Sequence, residues 1–193
     1  MPVFREHTPK RRNIIKDVSH YSDHRNDIKI DFMCRCGYCN DIDSWRNIWF
    51  EIDHFVPKEV LQTISEKNYS NLVYSCRSCN NAKRAKWPTN DEKIHNQNNV
   101  GFIDPCDDTY NNQFERNELG RINFKTPLGE WMYKALKLYK PQHEIIWNIE
   151  VADKLIDEIE SLFQKFPNSE FEEKLLPIYR EFRKYVKQLG NEG

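Results

Sequence analysis

Glu51-Ile52-Asp53-His54-Phe55-Val56-Pro57-Lys58, followed by Ser70-Asn71-Leu72-Val73-Tyr74 and Cys76-Arg77-Ser78-Cys79-Asn80-Asn81-Ala82-Lys83, is the stretch on which the fold of this 193-residue chain turns. From Ile48 to Val56 polar and apolar residues alternate, rich in aromatic and β-branched side chains, the pattern of a strand. Pro57 ends it, because proline has no N–H for a central ladder. Leu72-Val73-Tyr74 predicts a second, shorter strand. Residues Cys79 to Lys86 then supply helix formers behind Asn and Ser capping candidates, with Trp87-Pro88 as the stop. The expected order is strand, strand, helix.

Two C-x-x-C pairs bracket this stretch, Cys36-Gly37-Tyr38-Cys39 and Cys76-Arg77-Ser78-Cys79. The spacing lets both thiolates of a pair grip one tetrahedral ion while the backbone turns, and four thiolates suit Zn2+. A closed four-sulfur shell keeps no open coordination position, so the expected role is structural. A redox C-x-x-C or a chance pairing competes with zinc, and Cys34, two residues before Cys36, is an alternative ligand. Cys106 stands apart from the pairs.

Between the pairs lie residues suited to phosphodiester hydrolysis. Asp53 and Asn80 offer a carboxylate and an amide carbonyl, oxygen donors that suit a hard divalent ion such as Mg2+ or Mn2+. His54 titrates near neutrality and fits a general base that takes a proton from water. Asn71 is a candidate to orient its ring. Lys83 and Arg84 fall three and four residues past Asn80, on the same face of a helix, where they can hold a phosphate or offset its growing charge. Neighbours on a regular strand point to opposite faces, so Asp53 and His54 can serve one phosphate only where the strand ends or bulges. Glu51 shares the face of Asp53 on an ideal strand. It receives no catalytic role here, a solvated or salt-bridged side chain being an equally good reading.

Taken together, the quoted residues from Cys36 to Lys83 resemble the HNH endonucleases. The resemblance implies that His54 is the general base, Asn71 the supporting asparagine of the second strand and Asn80 the metal-binding residue of the helix. Asp53 matches the acidic metal ligand before the base, as in the HNH domain of RNA-guided CRISPR nucleases, and Lys83 a recurrent basic position. The implied fold is α+β, a ββα-metal core with a four-cysteine structural zinc site and a mainly helical C-terminal region. The implied activity is single-metal hydrolysis of DNA that leaves 5′-phosphate ends. Gly101-Phe102-Ile103-Asp104-Pro105-Cys106-Asp107-Asp108, with Phe114 and Gly120-Arg121-Ile122, is similar to the region after the motif in HNH proteins of bacterial anti-phage systems, Septu-like and retron-linked ones paired with ATPases. That likeness implies a defence role and an ATPase or other protein partner, with the C-terminal helices as the docking surface. An RNA-cutting nuclease using the same site and a non-catalytic zinc-ribbon binding module are the alternatives.

Outward from the motif, residues 1–33 predict an N-terminal arm and a short helix through Ile14, Ile15 and Val18, with His20 and His24 unassigned. Residues 34–90 form the expected nuclease core. Residues 91–129, rich in Asn, Asp and Pro, predict a loop-rich connector with a small hairpin near Gly120. In 130–193 apolar residues recur at helical spacing from Ile145 to Phe166, and again from Phe171 to Leu189, with Pro177 expected to kink or restart the second helix. These helices read as a hairpin closing the core or as a partner-binding face.

Composition narrows the classes. The mean hydropathy of -0.86 and the lack of a long apolar run exclude a membrane-spanning helix. The opening residues show no secretory signal, so a cytoplasmic location is expected, where clustered cysteines bind metal rather than form disulfides. Net charge is only -1, yet residues 1–90 carry 15 Lys/Arg against 11 Asp/Glu and the remainder 14 against 19. A phosphate-binding face is therefore expected on the first half.

Overall fold

The computed structural model describes residues 3–45, 50–165 and 169–191. It is a mixed α/β structure with small sheets, and it divides into two compact units. One comprises Met1–Asn117 with Ile122–Tyr139, the other Glu118–Arg121 with Lys140–Gly193.

The first unit is organised by strands β1 (Phe50–His54) and β2 (Leu72–Cys76), paired antiparallel with Phe50 opposite Cys76, Asp53 opposite Val73 and His54 opposite Leu72. The expected strand began at Ile48, but Ile48 and Trp49 lie outside the described residues. Every residue of β2 is buried, which is why its sequence is a run rather than an alternation. Helix α1 (Arg25–Asp31) precedes the hairpin and helix α2 (Arg77–Lys83) follows it directly, Cys76 being both the last strand residue and the N-cap.

Around this hairpin one apolar cluster gathers Phe4, Ile28, Phe32, Tyr38, Leu72, Val73, Phe102, Tyr110, Phe114, Met132 and Leu136. Residues from both flanks therefore complete it. Two short antiparallel pairs, β3 (Asn96–Gln97) with β4 (Val100–Gly101) and β5 (Phe114–Arg116) with β6 (Ile122–Phe124), order the segment read as a connector. Gly101 sits at φ +126°, and a Cβ there would meet the His95 carbonyl oxygen at 2.3 Å, so only glycine fits the turn. Helix α3 (Pro127–Leu136) is capped by Thr126, whose hydroxyl accepts from the Gly129 N–H.

One expectation is corrected. No helix forms at Ile14–Val18. The chain there has no regular structure, and the residues leading into it are anchored by Arg11, which donates to the Leu72 carbonyl and pairs with Asp104 at 2.9 Å, and by Arg12, which pairs with Asp31. The helical turns come later, as a 3-10 turn at Tyr21–His24 running into α1. His20 caps that turn, and His24 is buried edge-on to Tyr69. Helix α3 stops ahead of the second unit: Lys137 adopts φ 54°, a left-handed cap, and Pro141 opens a new helix that carries the apolar run beginning at Ile145.

The second unit holds α4 (Pro141–Lys165) and α5 (Ser169–Asn191), packed on one another. Phe166 lies outside the described residues. Pro177 neither stops nor divides α5, which continues through it. At Gly120, φ +84°, a Cβ would overlap the Trp147 indole at 2.3 Å. Among the described residues no helix is long and apolar enough to cross a membrane.

Candidate active site and metal centre

The turn after α1 places Cys36 and Cys39 beneath the end of β2, where Cys76 and Cys79 begin α2. Gly37 makes this approach possible: its N–H donates to the Tyr74 carbonyl at 2.8 Å, and a Cβ would lie 2.6 Å from the Phe32 ring and 2.9 Å from Val73. All four thiols are buried and their sulfurs lie within 4.8 Å of one another. Cys39 Sγ and Cys76 Sγ are 3.7 Å apart, close to the edge of about 3.8 Å that a tetrahedron with Zn–S bonds of about 2.3 Å requires. Burial opposes charge on every one of these sulfurs. Hydrogen bonds from the other three nonetheless hold Cys36 well below the ordinary thiol range, while burial and the Cys36 contact push Cys39 well above it. A dication held among the four sulfurs would favour the thiolate form of each. Cys34 lies outside the quartet, only partly buried.

Immediately beside this cluster is the seam between β1 and α2. Asp53 is 7% exposed. Its Oδ2 accepts from Tyr38 Oη at 2.5 Å and from Lys83 Nζ at 3.0 Å. Burial pushes the Asp53 carboxyl above the usual range against the pull of Lys83 and Tyr38. Tyr38 is one of the two residues between Cys36 and Cys39, so the cysteine knuckle itself supplies a donor to this carboxylate. Two residues earlier on the same face of β1, Glu51 Oε2 accepts from Asn80 Nδ2 at 2.6 Å. With its nitrogen so engaged, the Asn80 amide turns its oxygen away from Glu51. Glu51, Asp53 and Asn80 are thus oxygen donors of one seam, a set whose chemistry suits a hard divalent cation.

His54 closes β1 with its ring on a different set of neighbours. Nε2 lies 2.8 Å from the Glu66 carbonyl oxygen, and the ring stands edge-on to Tyr21 at 4.6 Å. A carbonyl can only accept, so Nε2 carries the proton and Nδ1 is the basic nitrogen of the neutral ring. Burial holds the His54 imidazole below its ordinary pKa, which favours that neutral form. Lys58 stacks over Tyr21 at 4.5 Å and pairs with Glu66 at 2.7 Å, tying down the segment that supplies the carbonyl. No bulge separates Asp53 from His54; their register with Val73 and Leu72 is regular, and the strand ends at His54.

Three sequence-derived roles look different in this geometry. Asn71 does not touch the His54 ring. Its Oδ1 accepts from the Val56 N–H at 2.8 Å and its Nδ2 donates to the Val56 carbonyl at 2.9 Å, clamping the loop that leaves β1. Lys83 is 0% exposed, with Nζ donating to the His54 carbonyl at 2.7 Å as well as to Asp53, so it cannot also reach out to a phosphate. Arg84 has left the helix at φ 48° and does not share the face of Asn80. Sequence reading overlooked Tyr38, Glu66 and the engagement of Glu51. The period-2 relation of Glu51 to Asp53 was the available signal for the last. Nothing local marks a carbonyl acceptor twelve residues downstream of the histidine.

Residues 36–86 match the family model described as HNH endonuclease, a span that takes in both cysteine pairs, β1, β2 and α2. That family implies nuclease activity on nucleic acid with divalent metal. No curated protein and no solved structure matches the chain.

Proposed function

We propose that the HNH endonuclease domain at residues 36–86 hydrolyses DNA in a ββα-metal site, with Asp53 and Asn80 holding Mg2+ or Mn2+, His54 as general base, and Cys36, Cys39, Cys76 and Cys79 holding a structural Zn2+. The observation that carries this reading is the pinning of His54. A carbonyl fixes the proton on Nε2, burial keeps the ring neutral, and the strand stops there, so Nδ1 is a free base at the end of β1. A bound divalent ion would polarise the scissile phosphate and stabilise the leaving oxygen. His54 Nδ1 takes the proton of the attacking water, and the Glu66 carbonyl steadies the resulting imidazolium. Asp53 and His54 leave an unbulged strand on opposite faces. The phosphate therefore lies across the strand end, which Asn71 holds open through Val56. Lys83 acts from within, fixing both the Asp53 carboxylate and the His54 main chain.

The test uses supercoiled DNA, linear DNA and RNA with wild type and His54→Ala, in Mg2+, Mn2+ or EDTA. DNA cutting by wild type alone, abolished by EDTA, is the expected result. Cutting of RNA alone would make the substrate RNA, and metal-independent binding without cutting would leave a zinc-ribbon binding module. The likeness of residues 101–122 to HNH proteins of anti-phage systems extends the proposal to defence with an ATPase or other protein partner. Unchanged phage plating after deletion, with no copurifying protein, would remove that extension.

A further inference from the structure

We propose that Arg25 and Arg77 form a clamp for the nucleic-acid backbone, one or two nucleotides from the bond that is cut; this rests on the nuclease reading above. The two arginines line a cleft of about 410 Å³ together with Phe50 and Glu51. They come from different elements, Arg25 from the start of α1 and Arg77 from the start of α2, so the fold has brought two guanidinium groups to one opening. Arg25 is braced at the cleft by donating from Nη2 to the Phe50 carbonyl at 2.5 Å, which leaves its other donors unused by that contact. Arg77 is 57% exposed and touches Glu51 only loosely, Nε to Oε1 at 3.8 Å. That carboxylate is already bonded by Asn80. Glu51 is thus shared between the seam of oxygen donors and the cleft, and makes the two continuous.

The chemistry selects the occupant. Two planar, permanently charged forks on either side of an opening suit phosphate oxygens, and the fixed charge of arginine gives a contact that reads backbone rather than base. Position selects which phosphate. Phe50 and Glu51 lie three to four residues before His54, about 10–13 Å along β1 at roughly 3.3 Å per residue. A group held in the cleft is therefore a neighbour along the strand, not the phosphate beside His54. The clamp also moves the phosphate-binding role from Lys83, which is buried, and Arg84, which is off the helix face, to cations that face solvent.

The experiment measures binding of a DNA fragment, without added Mg2+ or Mn2+ and without chelator, by full-length wild type, Arg77→Ala and Arg25→Ala/Arg77→Ala over a range of salt, and KM for cleavage in Mg2+. Zinc content and melting temperature report folding, and Arg77→Ala, which removes only the loose Glu51 contact, stands in should the double variant lose either. The clamp predicts that the slope of log affinity against log salt falls by about one unit per arginine removed, that KM rises about tenfold in the double variant, and that Arg77→Lys restores part of the slope but not of KM. Slope and KM equal to wild type in both alanine variants, with wild type binding and cutting, would overturn the clamp and leave the nuclease reading standing. Wild type that neither binds nor cuts DNA or RNA would overturn both.

Discussion

At the scale of single residues, the proposed site is defined by hydrogen bonds that use up all but one choice at each group. The Glu66 carbonyl offers His54 only an acceptor, which leaves Nδ1 as the basic nitrogen of the ring. Because burial holds the His54 pKa below its ordinary 6.5, the neutral ring persists into mildly acidic solution. The acid limb of the cleavage profile is therefore expected below pH 6.5, and His54 contributes to stability above that value, a contribution lost as pH falls through the folded-state pKa. A pH–rate profile with its inflection above 6.5 would contradict the burial argument. Tyr38 and Lys83 both engage Oδ2 of Asp53, so the metal contact proposed above falls to Oδ1. Tyr38→Phe is expected to raise the Mg2+ concentration needed for half-maximal cleavage on the order of tenfold, as loss of an outer-shell partner does, with zinc content unchanged. Lys83→Met leaves Asp53 buried without its cation and is expected to cost about 3–5 kcal/mol in denaturant unfolding. A cost near zero would mean that the carboxylate is held protonated.

At the scale of elements, β2 and α2 meet at a cysteine. Cys76 ends the strand, caps the helix by accepting from the Cys79 N–H, and belongs to the sulfur quartet. Serine is a good N-cap of nearly the same size, so Cys76→Ser separates these roles. It is expected to abolish bound zinc and lower the melting temperature while leaving the cap intact; full zinc content by metal analysis would refute the four-sulfur assignment. The knuckle before β1 has no room either. Gly37→Ala puts a methyl against Phe32 and Val73 and is expected to cost about 1–3 kcal/mol by overpacking. Strands β1 and β2 were readable because alternation and a β-branched run are local signals. The end of α2 was not, because Arg84 adopts its left-handed conformation in spite of good helix propensity.

At the scale of the whole molecule, the sulfur quartet lies within the unit Met1–Asn117 and Ile122–Tyr139, whereas α4 and α5 belong to the other unit. If the four sulfurs hold zinc as proposed, chelation is expected to remove the near-ultraviolet circular dichroism of the aromatic core around Tyr38, Tyr110 and Phe102 while part of the helical signal persists. Simultaneous loss of both signals would show that the two units unfold as one. The sequence by itself determined what depends on spacing and residue chemistry: two thiol pairs, a strand that carries Asp-His, a second strand, and an asparagine one turn into a helix. These are short-range relations, carried in the order of the chain. That the strand stops at His54 rather than running to Val56 came from the structure. Only the tertiary structure decided the partners. Lys83 is buried under His54, Asn71 clamps Val56, Glu66 orients the imidazole, and Arg25 joins Arg77 across a cleft. Each of these pairs residues 12 to 52 positions apart, and a polar side chain finds its partner only when folding has removed the water that would otherwise serve it equally well.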